Sequence, residues 1–359
     1  MLELTGLARS FDGFSFGPLD LQVDDAVLAV LGPSGSGKTT LLSLVAGLTS
    51  PDTGSVSLDG RSLVGRPLED RDVGLVFQDG ALFPHMTARE NVAYAADDDE
   101  RVAELAAILE IADVLDRRPG ALSGGERRRV ALARTLAADP DALLLDEPLS
   151  SLDVPVRRRL RDELADLFAD LAVPIVYVTH DQRAATALGD RVAVLRDGTV
   201  EQVGTPEDVL RRPATPFVAR FTGSENVFQA TVVEPDGGRD GERDSDSVTL
   251  RVGDLTLDVA ADAPRGATVT ACLRPSRLRV TGTEPTLADG GTNVVSGTVT
   301  RWTNEGDDYR LVVAVDDADL ALVATIRPDR FEARSVAVGD DLSLSVPADH
   351  VHLIDDEAL

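Results

Sequence analysis

The residues Gly32–Thr39, GPSGSGKT, have the spacing G-x-x-x-x-G-K-[ST] of a glycine-rich phosphate-binding loop. They follow the apolar run 26–31 and precede a helix-like segment, which gives the strand, loop and helix that such a loop requires. The N–H groups of the loop and of the helix N-terminus together form an anion site. Lys38 is placed to reach the β- and γ-phosphates of a nucleotide, and the Thr39 hydroxyl can coordinate Mg²⁺. A glycine turn before a core helix is the simpler alternative.

The predicted nucleotide-binding residues form one continuous segment: Gly32, Pro33, Ser34, Gly35, Ser36, Gly37, Lys38, Thr39 and Thr40. Lys38 is the only lysine of a chain that has 35 Lys and Arg residues. This favours a chemical need for the ammonium group, because the wider guanidinium of arginine would not fit the same loop. Phe11 is predicted to stack on an adenine ring, and packing of Phe11, Phe14 and Phe16 in the core is the alternative.

Two adjacent carboxylates, Asp146 and Glu147, follow the apolar run 142–145. In an open α/β sheet the carboxyl edge of the strands is where ligands bind. Neighbouring residues on a strand point to opposite sides, so we expect Asp146 to bind Mg²⁺ and Glu147 to face an attacking water. His180 ends another apolar run, 174–179, and is predicted to hold a phosphate or a water molecule.

A second anion site is predicted where a helix begins near residue 123. Ser123 is a natural N-cap for a helix that runs to about residue 138, and Gly124 and Gly125 leave the first-turn N–H groups accessible. Upstream, residues 85–119 have a helical pattern that begins with a capping box of Thr87 and Glu90.

The elements that position these residues indicate an α/β fold followed by a β domain. Residues 1–223 are predicted to form an ATP-binding domain of mixed sheet and helices, with strands at 73–77 and 174–179, a helix at 156–171, a hairpin at 191–204 and a helical subdomain at about 85–140. Residues 224–359 change to short strands and Gly/Asp turns, with a hydrophilic insert at 235–247. Their internal repeat, about 224–283 and 290–356, predicts two small β-barrels that close each other's edges.

Composition limits the environment and the partners. The chain has 359 residues, 43% of them hydrophobic, and a net charge of −27. Dispersed carboxylates and almost no lysine predict a halophile, because concentrated salt shortens the Debye length to about 3 Å; a local acidic interaction surface such as 97–100 is the alternative. Without a basic stripe, nucleic acid is not an expected partner. The single cysteine, Cys272, and the lack of a long apolar run predict a soluble cytoplasmic protein.

Six segments in this order closely resemble the ATP-binding subunit of ABC transporters: GPSGSGKT at 32–39, VFQ ending at Gln78, LSGGE at 122–126, LLLDEP at 143–148, SSLD at 150–153 and TH at 179–180. The resemblance implies that Gln78 is the lid glutamine that touches Mg²⁺ and water and senses the membrane partner. It also implies that Asp146 binds the metal, Glu147 is the general base, His180 is the switch histidine and Asp153 organises a dimer seam.

The resemblance further implies a homodimer with ATP and Mg²⁺ at its seam. A γ-phosphate needs donors on both sides, and a second copy would supply them in trans from the signature residues Ser123, Gly124, Gly125 and Glu126. Phe11 departs from the tyrosine usual in this family, Arg127 and Arg128 replace common glutamines, and the helical segment between residues 91 and 122 is shorter than usual.

The tail resembles the accessory barrels of importer ATPases, with RPSRLRV at 274–280 as the shared motif. Residues 293–354 resemble the oxyanion-binding barrel of molybdate and tungstate importers. This implies import of an oxyanion, molybdate or tungstate first, at the cytoplasmic face of the membrane with a permease and an extracellular solute-binding protein. Sugar, sulfate or iron import is the alternative within the class, and a non-transport ABC ATPase the alternative outside it. The tail is predicted either to bind the oxyanion or only to stabilise the dimer.

Overall fold

A computed structural model describes residues 1–77, 81–149, 152–234, 247–282 and 292–354. Gln78 and most of the predicted insert lie outside these residues. The chain divides into two compact units, Met1–Pro206 and Glu207–Leu359, whereas we expected the division after residue 223. The helix Pro216–Phe221 belongs to the second unit because its Ala219 shares a buried cluster with Cys272 and Ile354. No helix within the described ranges is long and apolar enough to cross a membrane.

The first unit combines two sheets with helices. Its strands are β1 (Leu2–Phe11), β2 (Phe14–Val23), β3 (Val27–Leu31), β4 (Thr53–Leu58), β5 (Arg61–Ser62), β6 (Val73–Val76), β7 (Ala142–Asp146), β8 (Ile175–Thr179), β9 (Arg191–Arg196) and β10 (Thr199–Gly204). Its helices are α1 (Lys38–Ala46), α2 (Ala88–Ala93), α3 (Asp99–Ile108), α4 (Gly124–Ala137), α5 (Val154–Asp170) and α6 (Gln182–Leu188). A small antiparallel sheet has the order β2-β1-β4-β5, and the main sheet has the order β10-β9-β3-β8-β7-β6.

The main sheet is mixed, as the sequence predicts. Strands β9, β3, β8, β7 and β6 are parallel, and only β10 pairs antiparallel, in the predicted hairpin with β9. Every residue of β3, β7 and β8 is buried, which explains their continuous apolar sequences. Leu31 lies opposite Thr179, and Asp146 lies opposite Val178. The residues that follow these three strands therefore leave the sheet at the same edge.

The two faces of the main sheet are covered by different apolar clusters. Leu143 and Leu145 of β7 belong to a cluster formed with helices α2 to α6, whereas Leu144 packs with α1 and the small sheet. This alternation follows from the two-residue period of a strand. The strand that ends at Asp146 therefore packs against one apolar cluster on each face of the main sheet.

Helix boundaries follow local capping signals. The capping box predicted at Thr87 is present, and Ser123, predicted as an N-cap, forms a capping box with Glu126, so α2 and α4 begin where the sequence indicates. Helix α5 begins at Val154, earlier than the predicted residue 156, because Pro155 is compatible with the first helical turn. Strand β6 ends at Val76, one position before the predicted end.

The second unit is mainly antiparallel β structure. Its elements are α7 (Pro206–Arg211, whose first residue ends the first unit), α8 (Pro216–Phe221), β11 (Asn226–Val233), β12 (Val248–Val252), β13 (Leu255–Val259), β14 (Thr268–Leu273), β15 (Arg279–Gly282), β16 (Thr292–Asn304), β17 (Tyr309–Val315), β18 (Ala321–Ile326), α9 (Pro328–Arg334), β19 (Asp341–Pro347) and β20 (His352–Ile354). The two sheets have the orders β13-β12-β11-β14-β20 and β15-β19-β16-β17-β18.

The two predicted repeats exchange their last strands. β15, from the first repeat, pairs with β19 of the second, and β20 pairs with β14 of the first. Leu250 of one sheet and Leu344 of the other belong to a single buried cluster. Each sheet thus ends in a strand from the other repeat, as expected of repeats that close each other's edges, and the two sheets share one core.

Candidate nucleotide-binding site

The phosphate loop connects β3 to α1 at the carboxyl edge of the main sheet. Lys38 is the first residue of α1, and its Nζ donates hydrogen bonds to the carbonyl oxygens of Gly32, at 2.8 Å, and Pro33, at 2.9 Å. Burial lowers the pKa of Lys38, while the nearby carboxylates of Glu147 and Asp146 act in the opposite direction. The ammonium group is thus held by the loop's own carbonyls.

The loop is tightly wound, and its backbone depends on glycine. Gly35 and Gly37 have φ values of 81° and 102°, and a Cβ on Gly37 would lie 2.8 Å from the ring of Phe16. The hydroxyl of Ser36 is buried and has no hydrogen-bond partner among the described residues. A buried hydroxyl of this kind, among N–H groups at a helix N-terminus, fits the oxygen atoms of a bound phosphate.

Asp146, the last residue of β7, lies beside the start of α1. Its side chain is buried, and its Oδ2 lies 3.4 Å from the Thr39 hydroxyl, which donates a long hydrogen bond. Burial, and then the charge of Glu147, raises the pKa of Asp146 above its ordinary value, and Thr39 and Lys38 partly offset this. A desolvated carboxylate beside a hydroxyl fits Mg²⁺, which prefers oxygen ligands. The structure thus brings together two of the predicted metal ligands, and the third, Gln78, lies outside the described residues.

Glu147 and His180 form a close pair at the same edge. The Glu147 Oε1 is 2.7 Å from the His180 Nδ1, and the Glu147 N–H donates to the carbonyl of Val178 at 3.0 Å. Glu147 has a φ of 48°, in the left-handed region that costs a side-chain-bearing residue roughly 1 kcal/mol or more. This turn directs Glu147 toward His180 while Asp146 contacts Thr39. The two carboxylates therefore make different contacts, although the charge of Glu147 still acts on Asp146.

Two other predicted residues lie on the surface of the first unit. Phe11 is 43% exposed, whereas Phe16 is buried. The alternative that these phenylalanines pack in the core therefore holds for Phe16 and not for Phe11. The Phe11 ring stacks on Phe14 at 6.3 Å and lies 5.6 Å from the Arg9 guanidinium carbon. Asp153 is exposed at the N-cap of α5 and makes no side-chain capping hydrogen bond. The structure leaves Phe11 available for stacking on a base.

The start of α4 is stabilised by its own side chains. The Ser123 hydroxyl accepts a hydrogen bond from the Glu126 N–H at 3.2 Å, and the Glu126 carboxylate accepts one from the Ser123 N–H at 2.6 Å. The Ser123 hydrogen bonds lower the pKa of Glu126. A Cβ on Gly125 would meet Leu152 at 2.5 Å, whereas a Cβ on Gly124 would meet no atom within 4 Å. As far as the described residues go, no hydrogen bond joins this helix start to the phosphate loop.

A groove in the first unit was not predicted from the sequence. Its volume is about 510 Å³, and its lining includes Leu68, Phe83, Tyr94 and Arg134. Tyr94 is 67% exposed, and the Arg134 guanidinium carbon lies 5.1 Å from the centroid of the Phe83 ring. These residues come from segments that are separate in the sequence. Only Tyr94, the exposed aromatic residue at the end of α2, could have indicated the groove.

Comparison with known proteins finds matches in both units of the chain. Residues 19–150 match the ABC transporter family, and residues 271–354 match the TOBE domain. The chain is 42% identical over 280 residues to the sulfate/thiosulfate import ATP-binding protein CysA of Thermosynechococcus vestitus, covering 75% of this chain and 82% of that protein. It is 38% identical over 351 residues to the spermidine/putrescine import ATP-binding protein PotA 1 of Pseudomonas aeruginosa, covering 94% and 90% of the two chains.

A solved structure extends the comparison to three dimensions. The dimeric bacterial ABC transporter cassette MJ0796 is 30% identical to this chain, with a TM-score of 0.53, over 57% of this chain and 99% of the cassette. The phosphate loop, the Asp146–Glu147 edge and the capped start of α4 all lie within the first unit. The chain therefore belongs to the ATP-binding subunits of ABC importers, and it is an ATPase that uses ATP with Mg²⁺ and carries a C-terminal TOBE domain.

Proposed function

We propose that two copies of this chain close around ATP, with the start of α4 in one copy completing the phosphate site of the other. Gly124 carries this proposal. Glycine in a helix costs about 1 kcal/mol relative to alanine, and nothing in this chain's own packing requires it at position 124. An open, uncovered helix start suits the approach of a phosphate from outside the chain. The related cassette MJ0796 is a dimer, which supports the same arrangement.

We infer the following roles in hydrolysis. Glu147 acts as the general base that takes a proton from the attacking water, and His180 holds the Glu147 carboxylate in position through their 2.7 Å contact. Thr39 and Asp146 would hold Mg²⁺, with Gln78 as a further ligand; the metal neutralises charge on the phosphates when it is bound. Asp153 is proposed to contact the dimer seam because its exposed carboxylate is not used to cap α5.

We propose that the groove lined by Phe83 and Tyr94 receives a segment of the membrane permease. Leu68 is 51% exposed and Tyr94 67% exposed, so the groove presents an apolar surface that a permease helix or loop could cover. The groove also borders β6, the strand that precedes Gln78, which would link permease contact to the nucleotide site. Through this contact the subunit would lie at the cytoplasmic face of the membrane. An extracellular solute-binding protein would act through the permease.

We propose an oxyanion as the imported solute. The relative with 42% identity is named for sulfate and thiosulfate import, and the tail sequence resembles that of molybdate and tungstate importers. Tetrahedral dianions of similar size require similar donors, so sulfate and molybdate belong to one chemical class. The relatives named for spermidine and putrescine import make polyamines the second candidate.

Uptake measurements in a strain that lacks this chain test the solute. We expect the strain to lose uptake of labelled sulfate, thiosulfate, molybdate or tungstate. The wild-type chain should restore uptake, and Glu147→Gln should not, because it lacks the proposed base. Retained uptake of all four oxyanions together with lost uptake of spermidine would replace the oxyanion proposal with polyamine import.

We also propose that the chain is adapted to concentrated salt. Its net charge of −27 creates self-repulsion that weakens as the Debye length falls from about 10 Å at 0.1 M salt to about 3 Å at 1 M. The urea midpoint of unfolding should therefore rise steadily with KCl from 0.1 to 1 M. A midpoint that stays constant over this range would contradict halophilic adaptation.

A further inference from the structure

Arg157, in the first turns of α5, connects two segments that border the nucleotide site. Its Nη2 donates a hydrogen bond to the carbonyl oxygen of Leu152 at 2.9 Å, and its Nη1 lies 3.8 Å from the Oδ2 of Asp181. Leu152 directly precedes Asp153, and Asp181 directly follows His180. One side chain therefore spans the segment that follows β7 and the segment that follows β8.

Asp181 is itself held in place by the backbone. Its Oδ1 accepts hydrogen bonds from the N–H groups of Arg183, at 2.8 Å, and Ala184, at 3.3 Å, at the start of α6. Its own N–H donates to the Thr179 hydroxyl at the end of β8, at 3.0 Å. The turn between β8 and α6 is thus fixed on both sides, which makes Asp181 a rigid partner for Arg157.

Leu152 extends this connection to the start of α4. Its side chain is buried, and a Cβ added to Gly125 would lie 2.5 Å from the Leu152 Cδ2. The start of α4 therefore packs directly on the residue whose carbonyl Arg157 holds. Because closely packed groups leave no space to absorb a shift, a displacement of Leu152 would move the start of α4 as well.

Stability alone explains this arginine poorly. The Nε of Arg157 is buried and has no hydrogen-bond partner among the described residues, and its contact with Asp181 is long. A buried donor without a partner costs free energy, and apolar side chains of similar volume are often at least as stabilising as a buried ion pair. What arginine offers is a planar fork that contacts two partners at once. This indicates a role in keeping the two segments at a fixed spacing.

We propose that Arg157 is a positioning residue that couples two nucleotide sites, and this rests on the proposed closure of two copies around ATP. In that dimer, each copy places His180 beside its own ATP and offers the start of its α4 to the ATP of the other copy. Through Asp181 and Leu152, Arg157 joins these two places within one copy. A shift of the His180 turn on ATP binding is thereby transmitted to the start of α4, which favours binding of the second ATP.

The test measures hydrolysis by the full chain over a range of MgATP concentrations. For wild type we expect a Hill coefficient clearly above 1, with about 2 as the upper limit for two sites. Arg157→Gln should reduce the coefficient to about 1 and the maximal turnover roughly 3- to 30-fold, the range for loss of a coupling contact. Its affinity for MgADP should stay within about twofold of wild type, because the partners of Arg157 lie outside the phosphate loop.

Further variants separate the bridging contact from the charge. Arg157→Lys keeps the positive charge, but a single ammonium group cannot hold both partners, so the Hill coefficient should fall as in Arg157→Gln. Asp181→Asn keeps a good N-cap for α6 and removes only the charge that faces Arg157, so it should lower the coefficient too. The double variant Arg157→Gln/Asp181→Asn should show no further loss, because both changes break one contact. Wild-type cooperativity in Arg157→Lys would overturn the bridging role.

The matched control is Arg158→Gln, which removes the same charge from the next residue of α5, whose side chain is exposed. It should keep the Hill coefficient of wild type. A coefficient of about 1 for wild type, an unchanged coefficient in Arg157→Gln, or an equal loss in Arg158→Gln would overturn the proposal. Should Arg157→Gln fail to fold, Arg157→Lys and Asp181→Asn decide the question.

Size-exclusion chromatography of Glu147→Gln with MgATP tells the two possible failures apart. If no dimer forms, the proposed closure of two copies is wrong. If the dimer forms but the Arg157 variants keep the wild-type Hill coefficient, only the coupling role of Arg157 is wrong.

Discussion

The two units of the chain hold their charged groups in different ways. In the first unit, Lys38 is held by carbonyls five and six residues away, and Ser123 and Glu126 hold each other within one turn. In the second unit, Arg274 reaches a carbonyl 52 residues earlier in the chain, and part of its guanidinium has no partner among the described residues. Short-range contacts thus hold Lys38 and the start of α4, whereas Arg274 is held by a contact between segments that are distant in sequence.

The units also differ in how their cores are assembled. The first unit places one cluster on each face of the main sheet. The second unit has one cluster to which both of its sheets contribute, because β15 and β20 are exchanged between the repeats. Since the apolar residues of the second unit's cluster all lie within that unit, damage to one core should leave the chemistry of the other unit intact.

The largest expected effect comes from the base in the first unit. Glu147→Gln keeps the size of the side chain but removes the group that accepts a proton from water. We expect ATP hydrolysis to fall by about 10²- to 10⁴-fold, the usual contribution of a general base. Nucleotide binding should be retained, and size-exclusion chromatography with MgATP should show a trapped dimer.

Glu104→Gln serves as the control for this variant. Glu104 is an exposed carboxylate on α3 that pairs only with Arg101 among the described residues, at 2.8 Å. Its hydrolysis rate should equal that of wild type. Wild-type turnover in Glu147→Gln would show that another group is the base.

The next effect concerns the open start of α4. Gly124→Asp places a carboxylate where a second copy's γ-phosphate is proposed to bind, and like-charge contact at an interface costs several kcal/mol. We expect hydrolysis to fall roughly 100-fold. Thermal stability should not decrease, because an acidic residue is favourable in the first turn of a helix.

Gly120→Asp adds the same charge at another glycine with open space around it. It precedes the cap of α4 and should leave hydrolysis unchanged. Equal loss in the two variants would point to a general charge effect and would remove the argument for a contact at Gly124.

The site in the first unit was largely predictable because its signals are local. The glycine spacing before Lys38, the Ser123–Glu126 capping box and the apolar run that ends at Asp146 each lie within a few residues of the group they position. The left-handed backbone of Glu147 was not predictable, because no glycine or asparagine marks it. The groove lined by Phe83 and Arg134 was missed because its residues are distant in sequence.

The second unit was less predictable for the same physical reason. Composition and alternation indicate β structure, but strands as short as β15 and β20 carry little sequence signal. The pairing of these strands depends on contacts between residues that are distant in sequence, such as Val280 opposite Leu344. The unpaired donor of Arg274 depends on burial, which a sequence motif does not report.

A core substitution tests whether the units are independent. Leu344 is fully buried in β19, so Leu344→Ala should destabilise the second unit by about 2–5 kcal/mol. Calorimetry should show one unfolding transition moved to lower temperature, while MgADP affinity in the first unit stays unchanged. Val338→Ala, at a position 62% exposed, should move neither transition. A loss of nucleotide affinity in Leu344→Ala would show that the two cores are coupled.

The smallest expected effect concerns Asp146, whose raised pKa reflects burial and the charge of Glu147. A carboxyl group that holds its proton more tightly in the folded state destabilises the metal-free fold as the pH rises through that pKa. Asp146→Asn should therefore raise the melting temperature of metal-free protein at neutral pH, by roughly 2–4 °C per 1 kcal/mol. The gain should disappear at acid pH, where Asp146 is uncharged in both states. Asp141→Asn removes the same charge from an exposed position just before β7 and should leave the melting temperature of metal-free protein unchanged. Bound Mg²⁺ would neutralise the charge of the Asp146 carboxylate. Added MgATP should therefore raise the melting temperature of wild type more than that of Asp146→Asn. An equal rise would argue against a metal ligand at this position.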